Sequence, residues 1–143
     1  MNYKIRELAL SDLEKESFFE TLSNLKLTAG LSPLQAKKIF NDCKKRGIEI
    51  YVATENDQII GTIRLLFEPK FYHAGKMSAH IEDVATHKNH TGKGVASFLI
   101  KEVIEICQKR DCYKIILNCT DDLSGFYKKF GFKLSDNCLR LDV

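Results

Sequence analysis

The sequence predicts an α/β fold, with one mixed, twisted β-sheet flanked by helices in a single domain over residues 1–143. Three observations carry that reading. Segments with helical and strand-like periodicity interleave, in the order β-α-α-β-β-β-α-β-α-β. Two strand-like runs in the middle are separated by the short turn "ENDQ", which makes them a hairpin. The 143 residues are 44% apolar and contain no Pro/Gly/Ser linker, repeat or low-complexity block, so one core suffices.

The elements follow in chain order. "YKIREL" alternates and predicts a first strand. "SDLE" offers a capping box at Ser11 and Glu14, opening a helix towards Leu25. "SPLQ" repeats the device, with Ser32 as N-cap, Pro33 at the first helical position and Gln35 reaching back. That helix runs to about Arg46, where Gly47 can end it. "IEIYVAT" and "IIGTIRLLF" are the arms of the hairpin, and "MSAHIEDVAT" is a further strand. Val95, Phe98, Leu99, Val103 and Ile106 recur at helical spacing after Gly94. "YKIILNC" is nearly continuous in apolar residues, as in a strand buried on both faces. "DDLSGFYKKFGF" predicts a short helix and a turn at Gly131, and "CLRLDV" a last strand.

Bulk properties narrow the function. A net charge of +3 is too small to argue for nucleic acid and suits an anionic small molecule. The cysteines at 43, 107, 112, 119 and 138 form no CxxC pair, which disfavours a metal or disulfide framework and favours a reducing compartment. No apolar run is long enough to span a bilayer, and the N-terminus has no apolar signal segment, so a cytoplasmic protein without membrane partners is expected. His87 and His90 have HxxH spacing without further ligands, which predicts solvated loop histidines and no metal. Cys119 reads as a buried structural thiol.

The segment "HKNHTGKGVASFLIKE" carries the most chemistry. It is not a P-loop, which requires GxxxxGK followed by Ser or Thr. It is also not a dinucleotide fingerprint, because Ser97 stands where the third glycine belongs and the preceding strand is acidic. It remains a basic glycine loop opening a long helix, where successive backbone N–H groups can hold an anion.

"TGKGVA" after a strand, followed by "YKIILNC" and "FYKKFGF", resembles the acetyl-CoA core of the GNAT acetyltransferase superfamily. "EPKFYHAGKMSAHIEDVA", "CYKIILNC" and "FYKKFGF", with "LKLTAGLS" more loosely, are similar to its glucosamine 6-phosphate N-acetyltransferase branch. The resemblance implies a GNAT fold and binding of acetyl-CoA along Val84, Ala85 and Thr86 and the loop Thr91, Gly92, Lys93, Gly94, Val95, Ala96 and Ser97. Gly94 and Ala96 match the last fixed positions of the family's pyrophosphate loop, while Thr91 replaces its usual Gln or Arg.

Acetyl transfer to an amine needs a positioned thioester, a deprotonated amine, an oxyanion site and a proton for the thiolate. Glu82 and Asp83 are adjacent, so ideal alternation sends them to opposite faces, and only a bulge or strand end lets both face one cleft. The resemblance places both at the acceptor, makes Tyr127 the general acid, and puts Asn118 where a carboxylate is usual. Asn118 can bond an amine or sugar but cannot act as a base. The resemblance also implies acceptor contacts at Thr28 and across Lys70, Phe71, Tyr72 and His73. Arg140 is a candidate for the family's C-terminal arginine, since Asp142 occupies the counted position.

The expected activity is therefore transfer of acetyl from acetyl-CoA to glucosamine 6-phosphate, feeding amino-sugar nucleotide synthesis, in a homodimer whose subunits share active sites. Two alternatives stand beside it: a GNAT enzyme for a polyamine, amino acid or protein amine, and a catalytically silent acyl-CoA-binding module.

Overall fold

The computed structural model describes residues 2–143. Strands β1 (Lys4–Glu7), β2 (Glu49–Glu55), β3 (Gln58–Pro69), β4 (Met77–Thr86) and β5 (Lys114–Leu117) form one sheet in that spatial order. β1 through β4 pair antiparallel, and β4 pairs with β5 in parallel, so the sheet is mixed as expected. The α-helices are α1 (Glu16–Ser23), α2 (Pro33–Lys45), α3 (Val95–Lys109) and α4 (Asp121–Lys128).

Two apolar layers sandwich the sheet. Helix α3 lays Val95, Leu99, Ile100 and Val103 on Ala53, Ile63, Leu65, Ala79 and Ile81. Helices α1 and α2 cover the other face, where Phe18 packs with Leu8, Val52 and Ile59, and Phe40 adds its ring. Gly61 sets how closely α3 can approach. A Cβ there would lie 2.5 Å from Val95 Cγ1 and 2.9 Å from Leu99 Cδ1. The start of α3 is thus seated directly on β3.

The Ser32 capping box forms as read: the Gln35 amide donates to Ser32 Oγ at 3.2 Å, and the Ser32 amide to Gln35 Oε1 at 2.8 Å. The one expected at Ser11 does not. Residues Leu10–Glu14 form a 3-10 turn, and α1 starts later, at Glu16. Asp12 takes over the site, being buried, accepting the Ala9 amide at 2.8 Å and both Arg6 guanidinium nitrogens at 2.6 and 2.8 Å. A charge-assisted pair to a neighbouring strand outcompetes a local hydroxyl cap.

Two further expectations fail at the C-terminal edge. "CLRLDV" forms no strand: residues 138–143 are irregular and exposed. β5 is consequently an edge strand, short and only half-buried, with Ile116 exposed rather than covered on both faces.

Candidate active site

The register of β3 on β4 slips at one point. Thr62 pairs with Ala85 and Arg64 with Glu82, so Asp83 and Val84 together oppose Ile63. Asp83 adopts φ of +50°, a left-handed conformation that Asp tolerates better than most residues. This bulge supplies the condition the adjacent acids require. Glu82 lies opposite Arg64 and shares its face, and Arg64 Nη1 reaches Asp83 Oδ2 at 3.1 Å. Both carboxylates therefore stand on the α1/α2 face, exposed to solvent.

Arg64 was not among the sequence candidates. Its second nitrogen, Nη2, donates to Cys43 Sγ at 3.4 Å, while Nε is buried without a partner among the described residues. A lone arginine inside the apolar run "IIGTIRLLF" was the available signal, since such a charge needs a counter-ion near its strand.

Just past Glu82 the sheet opens. β4 pairs with β5 only from Ser78 to Ile81, against Lys114 to Leu117. β5 then ends, while β4 continues to Thr86. The backbone from Glu82 onward has no strand on that side, so its polar groups there are open to a ligand. Ala85 is buried and Val84 packs on the core, which leaves the main chain rather than the side chains facing the gap. The Thr86 carbonyl accepts Asn24 Nδ2 at 2.7 Å.

The glycine loop lies at the same end of β4. Gly92 and Gly94 have φ of +77° and +82°, and no atom lies within 4 Å of where either Cβ would be. Gly94 is the N-cap of α3 and supplies no side-chain cap. The first helical bond is Phe98 N–H to the Gly94 carbonyl at 2.9 Å, so the amides of Val95, Ala96 and Ser97 have no partner within the helix. Val95 is committed to the core by its side chain, whereas Thr91, Gly92 and Lys93 are exposed. This geometry suits a pyrophosphate through backbone donors at a fifteen-residue helix.

The loop's approach is fixed from behind. His87 is buried, not solvated: its Nε2 lies 3.2 Å from Glu20 Oε2, and its Nδ1 accepts the Asn89 amide at 3.2 Å. His90 Nε2 lies 3.3 Å from Glu55 Oε2. Solvation fails as an expectation because α1 and the end of β2 each bring a carboxylate to this loop. Among the described residues no group of three or more His, Cys, Asp and Glu could hold a metal.

Tyr127 is buried against Phe126 and Phe132, with ring centroids at 5.0 and 6.0 Å. Burial raises its phenol above the ordinary value of 10.0, with the nearby Cys119 contributing second. It therefore holds its proton at neutral pH. Its hydroxyl has no hydrogen-bond partner among the described residues. Tyr127 and Asn118 line one cavity of roughly 890 Å³ between β5, α4 and residues 131–139. Cys119 is exposed rather than buried, because β5 ends two residues before it. Burial pushes the Cys107 thiol up to about 12, which makes it inert as a nucleophile.

The remaining acceptor candidates do not meet these groups within one chain. Lys70 binds Glu68 Oε2 at 2.8 Å, Phe71 and Tyr72 are exposed, and the His73 ring stacks on Tyr113 with centroids 4.1 Å apart. They cap the Met77 end of β4, five residues or roughly 17 Å along the strand from Glu82. Thr28 lies in the α1–α2 connection, its Oγ1 2.8 Å from Ser23 Oγ. Arg140 Nε donates to Asp142 Oδ1 at 2.6 Å in the irregular tail.

Comparison with known proteins adds independent findings. Residues 8–132 match the profile described as the Acetyltransferase (GNAT) family. The chain is 31% identical to a glucosamine 6-phosphate N-acetyltransferase of Trypanosoma brucei brucei, covering 100% of this chain and 97% of that one. A crystal structure of a Trypanosoma brucei acetyltransferase superposes with a TM-score of 0.91 at 32% identity, over 99% of this chain and 100% of that one. The structure of glucosamine-6-phosphate N-acetyltransferase from Arabidopsis thaliana does so with a TM-score of 0.85 at 27% identity, over 100% and 98%.

Proposed function

The chain belongs to the acetyltransferase (GNAT) family, and on that premise we propose that it transfers the acetyl group of acetyl-CoA to the 2-amino group of D-glucosamine 6-phosphate. The products are N-acetylglucosamine 6-phosphate and CoA, and the step serves UDP-N-acetylglucosamine synthesis in the cytoplasm. The end-to-end likeness to proteins bearing that activity in their names carries this reading. The bulge that brings Glu82 and Asp83 onto one face supports it.

Acetyl-CoA supplies an electrophilic thioester carbonyl. The amides at the start of α3, with Gly92 and Gly94 leaving room, hold its pyrophosphate. The open edge of β4 around Val84 offers N–H donors to a developing oxyanion. Glu82 and Asp83 orient the acceptor's amine and hydroxyls and take the amine proton, directly or through water. Asn118 serves as a hydrogen-bonding group only, which leaves the base role to those two acids. Tyr127, kept protonated by burial, donates to the departing thiolate. No metal has a part in this scheme.

The phosphate contacts are the part a single chain does not assemble. Lys70 and His73 stand at the far end of β4, and Arg140 in an exposed tail. A homodimer, in which a second copy brings such groups to the acidic end of β4, accounts for their separation. The exposed edge of β5 and the apolar tail residues Leu139, Leu141 and Val143 support that arrangement.

The test is thiol release from acetyl-CoA with glucosamine 6-phosphate, glucosamine, spermidine and a lysine peptide in parallel. Strong turnover is expected with the sugar phosphate alone. Turnover only with another amine sinks the sugar assignment, and coenzyme binding without any turnover favours a silent acyl-CoA module. Tyr127→Phe should lower kcat about 100-fold with little change in coenzyme affinity.

A further inference from the structure

Two carboxylates stand behind the loop that is suited to an anion. Glu20 Oε2 lies 3.2 Å from His87 Nε2, and Glu55 Oε2 lies 3.3 Å from His90 Nε2. Negative charge beside a pyrophosphate site opposes the ligand, so these acids need another reason to be there. The loop itself supplies one. Its donors are backbone amides around Gly92 and Gly94, both at positive φ. Glycine has the widest conformational range of any residue, so an unbraced loop of this kind must be ordered afresh each time it binds.

The contacts around the loop are those of a brace. His87 Nδ1 accepts the Asn89 amide, so the ring's proton sits on Nε2 and is donated to Glu20 on α1. The His87 amide donates to the Ile60 carbonyl of β3 at 2.8 Å. His90 packs edge-on against His87, with ring centroids 5.7 Å apart, and turns its Nε2 to Glu55 at the end of β2. Further on, the Tyr3 hydroxyl donates to the Lys93 carbonyl at 2.8 Å, and its ring lies 5.8 Å from Phe98 in the first turn of α3. Residues 87, 90 and 93 are thus held from separate parts of the chain, and Gly92 and Gly94 flank the last of them. Glu20 and Glu55 reach the loop through the two imidazoles and are not placed at the coenzyme or the acceptor themselves.

We propose that Glu20 and Glu55 are positioning residues for the coenzyme. Through His87 and His90 they hold the backbone donors of the glycine loop in the shape that receives the pyrophosphate, before it arrives. The inference rests on the reading of that loop as the acetyl-CoA site and is independent of the acceptor. The charge of the two acids works against the ligand and their geometry works for it, with geometry the larger effect.

The sign of one substitution separates the two effects. Glu20→Ala and Glu55→Ala each remove a negative charge behind an anion site, which on charge alone tightens CoA. Positioning gives the opposite sign. In calorimetry with CoA and no acceptor, each should weaken binding about ten-fold at the stoichiometry of the wild type. Glu20→Gln loses the same charge but keeps an oxygen for the His87 N–H, and should bind CoA within about three-fold of wild type. In turnover, the alanine variants should raise KM for acetyl-CoA about ten-fold and leave kcat within about two-fold. Both acids are partly exposed, so the fold is expected to survive their loss. Unchanged or tighter CoA binding in the alanine variants, Glu20→Gln no better than Glu20→Ala, or a fall in stoichiometry at unchanged affinity overturns the inference. A wild type that binds CoA but acetylates a different amine overturns the sugar reading alone. Acetylation of the sugar phosphate with a CoA affinity indifferent to Glu20 and Glu55 overturns this inference alone.

Discussion

Two segments of this chain read alike and end differently. "YKIREL" near the start and "CLRLDV" at the end are both short, alternating and interrupted by one arginine. The first becomes β1, paired from Lys4 to Glu7 against Tyr51 to Thr54. The second stays irregular, with Leu139 and Leu141 exposed and Arg140, among the described residues, bonded to Asp142 two positions on. Alternation states that a segment can be a strand. It does not state which edge will receive it. β1 finds β2 within the chain, and its Arg6 finds a buried carboxylate. The tail has β5 as an open edge nearby, yet among the described residues neither core cluster takes up its apolar side chains.

The largest effect is expected where the first segment is locked. Asp12 is buried with its charge, satisfied by Arg6 and the Ala9 amide. Asp12→Asn places an amide donor against the guanidinium and should cost about 2 kcal/mol in urea unfolding at neutral pH. The Arg6 hydrogen bond is the main cause that lowers the Asp12 carboxyl below its ordinary 3.8, against the opposing effect of burial. A depressed folded-state value means the contribution is complete above 3.8 and is lost as pH falls through the lower folded value. The gap between wild type and Asp12→Asn should therefore be constant near neutrality and close in strong acid. A gap that persists unchanged to the lowest pH at which the protein folds would mean that the ion pair is not what holds β1.

The same contrast explains what was legible. The Ser32 capping box was readable because its two bonds span three residues and need nothing else. The Ser11 box failed because Asp12, between its members, reached a different strand. The resemblance put the two acids at 82 and 83 at one site, and their adjacency then required a bulge or strand end, since no flat strand turns adjacent side chains to one face. The sequence did not reveal that Arg64 would stand beside them, because cross-strand register is a tertiary fact. The glycine loop was legible as an anion cradle from local chemistry alone. That His87 and His90 would brace it was not, because Glu20 and Glu55 come from distant parts of the chain. The acceptor groups at Lys70 and His73 matched a pattern, and only the fold revealed how far along β4 they stand from Glu82.

A smaller effect on folding, with a large one on assembly, is expected at the second segment. Leu139→Ser and Leu141→Ser together remove two exposed apolar side chains that no core residue touches. For a lone subunit, surface substitutions of this kind shift stability by less than about 0.5 kcal/mol each. Measured at low protein concentration, where any dimer has dissociated, urea unfolding of the double variant should match the wild type. Sedimentation at higher concentration should separate them, with the wild type a dimer and the variant a monomer. If the tail also carries Arg140 to a partner's site, the monomeric variant loses acetylation of glucosamine 6-phosphate through a raised KM, while coenzyme affinity at the α3 loop stays unchanged. A variant that remains dimeric would show that the tail is not the dimer contact, and β5 would need another occupant. A wild type that is itself monomeric would break the comparison at its root, because the second segment would then lack a partner in solution as well as in the fold.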